Sequence, residues 1–389
     1  KKFEQNINDL KDLYENAKIN VDNINKTFEN LVDFHNQMLD SKIKAHKNDI
    51  KISTYELKKT LVSMKKEENT KFLSEVDSTA LQNSVLNLDK SYKNFFRRVK
   101  LGEKSGFPKF KSKHNSQQSY QTSTAKIKNA KLYLPIIGEV KTKFHRGDIK
   151  GKIKTVTVSY EANQYFACIN YEDVLIESNK VNNGKYIAID VGVKVFAYTS
   201  ENEIINPNKE HSLENDIKKM IKAQKVLSRR KKGSKNRLKA KEKLAKKHLK
   251  IKNKRDDFLH KISNRLSENQ TIKVENLKIK NMSKQTKGTI ENPNMRASAK
   301  RGLNRSILQQ SWGRFFIFLE YKLKRNGGEL IRINPKNTSL TCSNCGHISK
   351  ENRKTQAKFI CTSCNISLNA DYNASLNILN AVGTTVKAS

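Results

Sequence analysis

Four of the five cysteines lie between positions 342 and 364, as Cys342-Ser-Asn-Cys345 and Cys361-Thr-Ser-Cys364 with fifteen residues between the pairs. This spacing suits two short knuckles whose thiolates converge on one tetrahedral ion, and it dictates a local fold on its own. The two-residue gap lets neighbouring sulfurs and the amides of the turn point at the same place. Four thiolates fill a zinc coordination sphere and leave no position for a substrate, so the zinc is expected to be structural. A single Cys-x-x-Cys could also serve redox chemistry, but two pairs at this distance read as a metal cluster in a reducing compartment. His347 stands beside the first pair and is not needed as a ligand. Cys168 is alone in an alternating segment and is expected to be a small buried hydrophobe.

Charge says what the rest of the chain meets. Lys and Arg number 77 against 38 Asp and Glu, a net charge of +39 over 389 residues, which favours a polyanionic partner. No apolar run approaches the roughly 18 residues that would span a bilayer, and no signal peptide opens the chain, so nucleic acid is expected and a membrane is not. Residues 1–100 hold nineteen basic and fifteen acidic side chains, a net of +4, which leaves +35 for residues 101–389. Residues 216–255 hold nineteen Lys or Arg against Asp216 and Glu242 alone. Such a run repels itself unless phosphates neutralise it. Arg229, Arg230, Lys231, Lys232, Lys235 and Arg237, around its break, are therefore predicted nucleic-acid contacts. A second candidate is residues 107–120, where Lys109, Lys111, Lys113 and His114 alternate with Phe107, Phe110 and Tyr120. That mixture can hold phosphates while rings stack on bases.

Periodicity divides the chain further. In residues 1–100 apolar positions recur at helical spacing, as in Ile24, Phe28, Leu31, Phe34 and Met38, which predicts a helical domain. From Gly102 glycines punctuate short segments, and 152–160 and 164–171 alternate, predicting a small antiparallel sheet or barrel over 101–180. YIAID and VFAYT then form a hairpin with Asp190 at the end of its first strand. A long helical pattern over 212–266 breaks at Lys232-Gly233-Ser234. A strand follows over 271–277 with Glu275 at its end. Residues 306–324 read as one apolar-periodic helix containing Trp312, before a strand at 329–333. A last helix opens at Asp371.

Asp190, Glu275 and Asp371 thus each sit where an element meets a loop. One acid in such a place is ordinarily a turn residue or cap. Three that converged could hold divalent ions for phosphodiester cleavage, one activating water and the other stabilising the leaving oxygen.

AIDVGVKVFA, KVENL, CSNCG with CTSC, and DYNASLNIL, in that order and with the basic helical pair between the first two, resemble the TnpB proteins. These are RNA-guided DNA endonucleases of bacterial insertion sequences, related to compact type V CRISPR effectors. The segment ALQNSVLNLDKSYKNFFRRVK, followed by GFPKFKSK, also resembles the family, so the similarity spans roughly residues 25–381. The resemblance implies an α/β fold with further α and β parts: a helical recognition domain (1–100), a small wedge-like β-barrel (101–180), and an RNase H-like (RuvC) nuclease domain (181–389). The zinc ribbon is inserted at about 336–368. It also implies that Asp190, Glu275 and Asp371 bind catalytic Mg or Mn, and that Cys342, Cys345, Cys361 and Cys364 hold structural Zn. The implied partners are a guide RNA and target DNA, with sequence readout delegated to base pairing. The implied location is cytoplasmic, associated with the nucleoid when bound to DNA.

Two departures from the family stand out. Members open with a barrel strand, whereas residues 1–23 read as helical, which predicts a barrel short of one strand. Asn369 and Ala370 occupy positions where members often carry acidic or basic residues. A nuclease-inactive guide-directed repressor, a DNA-rearranging transposase and a compact CRISPR effector are the alternatives. The intact triad speaks against the first, and the lack of cysteines before Cys168 speaks against the last.

Overall fold

A computed structural model describes residues 2–47, 53–112, 118–145, 151–172, 182–207, 212–268, 270–284 and 297–381, with side chains from residue 15 and excluding those of 45–47. The chain forms two compact units, Lys1–Leu175 and Ile176–Ser389. No helix among the described residues is long and apolar enough to cross a membrane.

The first unit opens with helices α1 (Lys2–Lys47), α2 (Thr54–Met64) and α3 (Ser78–Lys100). Ser53 and Glu56 close a reciprocal capping box at the start of α2, satisfying two backbone donors there. Asp77 caps α3 through the Thr79 amide at 3.0 Å and also accepts from the Thr122 hydroxyl. Strands β1 (Ser119–Thr122), β2 (Lys126–Lys128), β3 (Lys131–Leu134), β4 (Gly138–Lys141), β5 (Lys152–Glu161) and β6 (Gln164–Glu172) follow. Where the sequence predicts a sheet or barrel there are two three-stranded antiparallel sheets, in the orders β1-β5-β6 and β2-β3-β4. Helices and strands share one core, in which Phe28, Phe34, Met38 and Leu81 pack with Tyr120, Leu132 and Val156.

Cys168 departs from expectation, being exposed. β6 is an edge strand, and its period of two half-buries Tyr165, Ile169 and Tyr171 while turning Cys168 outward.

The second unit holds β7 (Tyr186–Val191), β8 (Ala197–Thr199), β9 (Ile204–Ile205), α4 (Glu214–Arg229), α5 (Lys235–Leu266), β10 (Thr271–Glu275), α6 (Ile279–Met282), α7 (Ala297–Gln310), α8 (Trp312–Arg325), β11 (Glu329–Ile333), β12 (Lys358–Ile360), β13 (Ser367–Asn369) and α9 (Ala370–Asn380). Its main sheet runs β11-β10-β7-β8-β9, parallel across the first three and antiparallel from β7 onward.

Period-two alternation splits this sheet into two faces. Ile187, Ile189, Ile272 and Val274 bury one face against Leu259 of α5 and Phe315 and Leu319 of α8. Ala188 and Ile333 bury the other against Ile378 of α9. Asp190 shares its strand face with Ala188, and Glu275 shares its own with Lys273, whose ammonium donates to the Leu379 and Ala381 carbonyls at the end of α9 at 2.6 and 2.9 Å. Both acids therefore lie on the α9 side.

The helix expected over 306–324 is two helices. Ser311 takes a left-handed conformation, φ 57°, and ends α7 before α8 begins at Trp312. The apolar periodicity runs through this break, and the left-handed position itself carries a serine, with Gly313 two residues later inside the first turn of α8.

Candidate functional site

Asp190 is the last residue but one of β7 and Glu275 the last of β10, two neighbouring parallel strands, and each stands one residue beyond the Ile189–Val274 register pair. The tight β7–β8 connection requires Gly192, since a Cβ there would stand 2.8 Å from the Val195 carbonyl oxygen. Gln310 Nε2 fastens the same turn by donating to the Val193 carbonyl at 2.8 Å. Asp371 arrives from the first turn of α9. Asn369 caps that helix, its side-chain oxygen accepting from the Asp371 and Tyr372 amides at 2.9 and 3.2 Å. This capping role accounts physically for an asparagine at this position.

The three carboxylates line one cleft of about 270 Å³, together with Lys194, Thr338, Arg353 and Gln356. Burial, and then repulsion from Glu275 and Asp371, push the Asp190 carboxyl up to about 8. Burial raises Glu275 against the opposing hydrogen bond from Thr338, and raises Asp371 against the pull of Arg353 and Lys194. Burial is thus the leading cause for all three acids, and repulsion between them adds to it at Asp190. Arg353 brings positive charge to them, with Nη2 3.4 Å from Asp371 Oδ1 and donating to the Gln356 carbonyl at 3.0 Å. Nothing in the spacing of motifs along the chain marks Arg353, Lys194 or Thr338.

The sign of the Asp190 shift leads to a stability prediction. Its folded value lies above the unfolded value near 3.9, so the stability from the protonated form is complete below about pH 4 and is lost as pH rises through about 8. Asp190→Asn preserves the shape and removes the titration. In buffer without added divalent ions it should raise the thermal midpoint at pH 9 by several degrees, on the order of a few kcal/mol, and match wild type near pH 4. Equal midpoints at pH 9 would place the carboxylate in water.

The cysteine cluster closes as its spacing predicts. The Sγ atoms of Cys342, Cys345, Cys361 and Cys364 all lie within 4.8 Å of one another, the one such set of three or more candidate ligands among the described residues. Cys342 and Cys364 are 3.7 Å apart and Cys345 and Cys361 3.5 Å, close to the roughly 3.8 Å edge of a tetrahedron with metal–sulfur bonds of about 2.3 Å. Each pair makes the same turn. Gly346 N donates to Cys342 O at 2.9 Å and Asn365 N to Cys361 O at 3.0 Å, with Gly346 and Asn365 both left-handed at φ 74° and 58°. The Ile366 amide leads in holding the Cys364 thiol down, to about 6, and the Cys364 amide in lowering that of Cys361. The Cys345 thiol goes the other way, up to about 11, because the lowering by the His347 amide is outweighed by burial and the three neighbouring sulfurs together. It is the four sulfurs at tetrahedral spacing that fit a metal ion. His347 stands outside the sulfur set, and its carbonyl accepts from the Cys342 amide at 2.9 Å.

The basic candidates divide. Arg229, Arg230, Lys231, Lys232 and Lys235 are exposed around the α4–α5 turn. Arg237 is half-buried and donates through Nη1 to the Leu227 and Arg230 carbonyls at 2.8 and 2.9 Å, closing the end of α4. Lys109 and Lys111 are exposed, and the Lys111 backbone is clamped by the Asn36 amide at 2.8 and 3.0 Å. Phe110 is exposed, Phe107 packs edge-on against Tyr92 and Phe95, and Tyr120 lies in the core against Phe28. Tyr120 is thus unavailable for the base stacking expected of it. Lys113 and His114 lie outside the described residues.

With this geometry in place, comparison with known proteins is informative. Residues 158–286 match a family described as "Probable transposase" (OrfB_IS605), and residues 312–378 match the "Cas12f1-like, TNB domain" family. An Escherichia coli (strain K12) protein named as the RNA-guided DNA endonuclease InsQ is 36% identical over 84% of this chain and 80% of its own length. A Streptomyces pristinaespiralis protein, also named as an RNA-guided DNA endonuclease, is 32% identical over 89% of this chain and 82% of its own. Among solved structures, a Cas12f1–sgRNA–target DNA complex contains a chain that superposes with a TM-score of 0.54 at 18% identity, covering 92% of this chain and 82% of that one, a likeness of fold.

Proposed function

Because this chain belongs to the TnpB family of RNA-guided DNA endonucleases, we propose that Asp190, Glu275 and Asp371 are the metal-binding acids with which it cleaves DNA paired to a guide RNA. The observation that carries the assignment is the convergence of these acids, distant in sequence, on one cleft at the ends of two parallel strands and a helix. The strand order of the main sheet and the fold likeness to a Cas12f1 chain support an RNase H-like nuclease unit.

Two Mg²⁺ or Mn²⁺ ions in the cleft would supply an activated water and stabilise the leaving oxygen. The chain's own part is to hold the acids. The β7–β10 pairing fixes Asp190 beside Glu275, and α9 brings Asp371 to them. Arg353 and Lys194 add positive charge at the rim of the cleft, suited to a phosphodiester's developing charge. The cysteine cluster, in this reading, holds a structural Zn²⁺. Sequence choice rests with the guide, so the protein needs broad phosphate contact more than base readout.

The direct test is to sequence the RNA that copurifies with the protein and to challenge the complex with matching duplex DNA. Mg-dependent cleavage at the matched site alone is expected, and cleavage indifferent to the RNA would defeat the assignment. A repressor reading predicts matched binding without cleavage, and a transposase reading predicts strand joining.

The exposed turn between α4 and α5 is proposed to bind backbone phosphates. One cation in the last turn of α4 suits the helix dipole, but four packed together repel one another, so the benefit of the cluster should emerge on binding. Changing Arg229, Arg230, Lys231 and Lys232 together to Gln should weaken nucleic-acid affinity about equally for all sequences. It should also flatten the dependence of log K on log salt by about 0.7 to 0.9 for each phosphate no longer neutralised. The free protein should be no less stable. Unchanged affinity with a lower thermal midpoint would make the cluster structural.

A further inference from the structure

We propose that Thr338 is a positioning residue that locks Glu275 of β10 to the helix bearing Asp371, through the first arm of the cysteine cluster. This rests on the assignment of those two acids to metal binding. The Thr338 side chain is buried, and its hydroxyl donates to Glu275 Oε1 at 2.5 Å, with the Pro335 carbonyl a second neighbour at 3.2 Å. A hydroxyl carries one proton, so this hydrogen bond fixes one carboxylate oxygen and leaves the other to a cation. The backbone of Thr338 faces the other way. Its carbonyl accepts from Asn377 Nδ2 of α9 at 2.8 Å.

Asn377 belongs to a longer clamp. Its amide also reaches the Thr341 carbonyl at 2.7 Å. Asn373, fully buried one helical turn earlier, donates to the same carbonyl at 2.8 Å and accepts from the Ser343 amide at 3.0 Å. The two asparagines stand on one face of α9. The arm they grip is a tight turn in which the Leu340 and Thr341 amides both donate to Asn337 O at 2.9 Å, and it runs directly into Cys342. One short segment thus orients Glu275 with a side chain, anchors the helix of Asp371 with its carbonyls, and ends in a cluster thiol. In DYNASLNIL the acid would touch the metal, and the two asparagines set where that acid stands.

Groups that orient metal ligands are commonly worth 10- to 100-fold in metal affinity. Thr338→Val keeps the shape and removes the hydroxyl. It should weaken Mn²⁺ binding to the zinc-loaded full chain, measured calorimetrically, by about tenfold, with Thr338→Ser restoring it. The Mn²⁺ concentration for half-maximal target cleavage should rise in parallel, while zinc content and guide RNA binding stay at wild-type values. A merely structural threonine would lower the thermal midpoint in both variants and leave Mn²⁺ affinity alone. Thr338→Ala provides the same reading if valine disturbs the fold. Asp190→Ala is the control that separates the two levels. If it weakens Mn²⁺ binding and Thr338→Val does not, the positioning role is overturned and the site assignment stands. If Asp190→Ala leaves Mn²⁺ binding unchanged, the site assignment falls and the positioning role with it.

Discussion

Replacing Asp190, Glu275 or Asp371 singly with alanine should reduce target cleavage by about 10³-fold or more while guided DNA binding stays within about twofold. The size follows from what the acids are asked to do. Holding cations against a phosphodiester is worth several kcal/mol of transition-state stabilisation, and each 1.36 kcal/mol is tenfold in rate. Binding should survive because base pairing and phosphate contacts carry it, and the three acids offer a polyanion nothing but repulsion. Alanine at Asp190 also relieves a carboxyl whose burial pushes it up to about 8, so loss of cleavage should not be accompanied by loss of fold. Single-turnover cleavage and filter-binding assays on the same preparations check both halves. Near wild-type cleavage by any one variant would remove that residue from the triad.

How much of this was legible beforehand depends on how local each feature is. The cysteine knuckles were, because ligand spacing and a left-handed residue after each pair are properties of five-residue segments. The strands ending at Asp190 and Glu275 were as well, since a buried parallel pair writes itself as short apolar runs such as YIAID. Their partnership with Asp371 came from the order of motifs resembling a family, not from periodicity. Ser311 was not legible, because a left-handed serine leaves the helical pattern of 306–324 undisturbed on either side. Tyr120 follows a basic run whose composition suits base stacking, yet β1 alternation turns its ring into the core. The Thr338 link was out of reach for another reason. Its partners stand 63 and 39 residues away, and threonine and asparagine in a polar stretch look like any turn until the helix folds back over them.

That link bears on the last expected result, the loss of the cysteine cluster. Cys342→Ser or Cys361→Ser should lower zinc from about one per chain to near zero, and residues around the knuckles should unfold locally. Thiolate coordination in a closed site supplies folding energy, and little apolar packing would replace it: Cys342, Phe359, Cys361 and Ala370 are the buried residues of that core. Cleavage should fall with the metal although no cluster residue is a proposed ligand of the catalytic ions. Unfolding of the arm frees Glu275 from Thr338 and α9 from its clamp, and carries Arg353 away from Asp371. The loss should therefore look unlike that of Asp190→Ala. Excess Mn²⁺ should recover part of the activity of the cysteine variants, whose acids remain, and none of the activity of the aspartate variant. Elemental analysis, limited proteolysis around 338–370 and Mn²⁺ titration of cleavage check the three parts. Full zinc content after Cys342→Ser would show that the four sulfurs are not the ligand set.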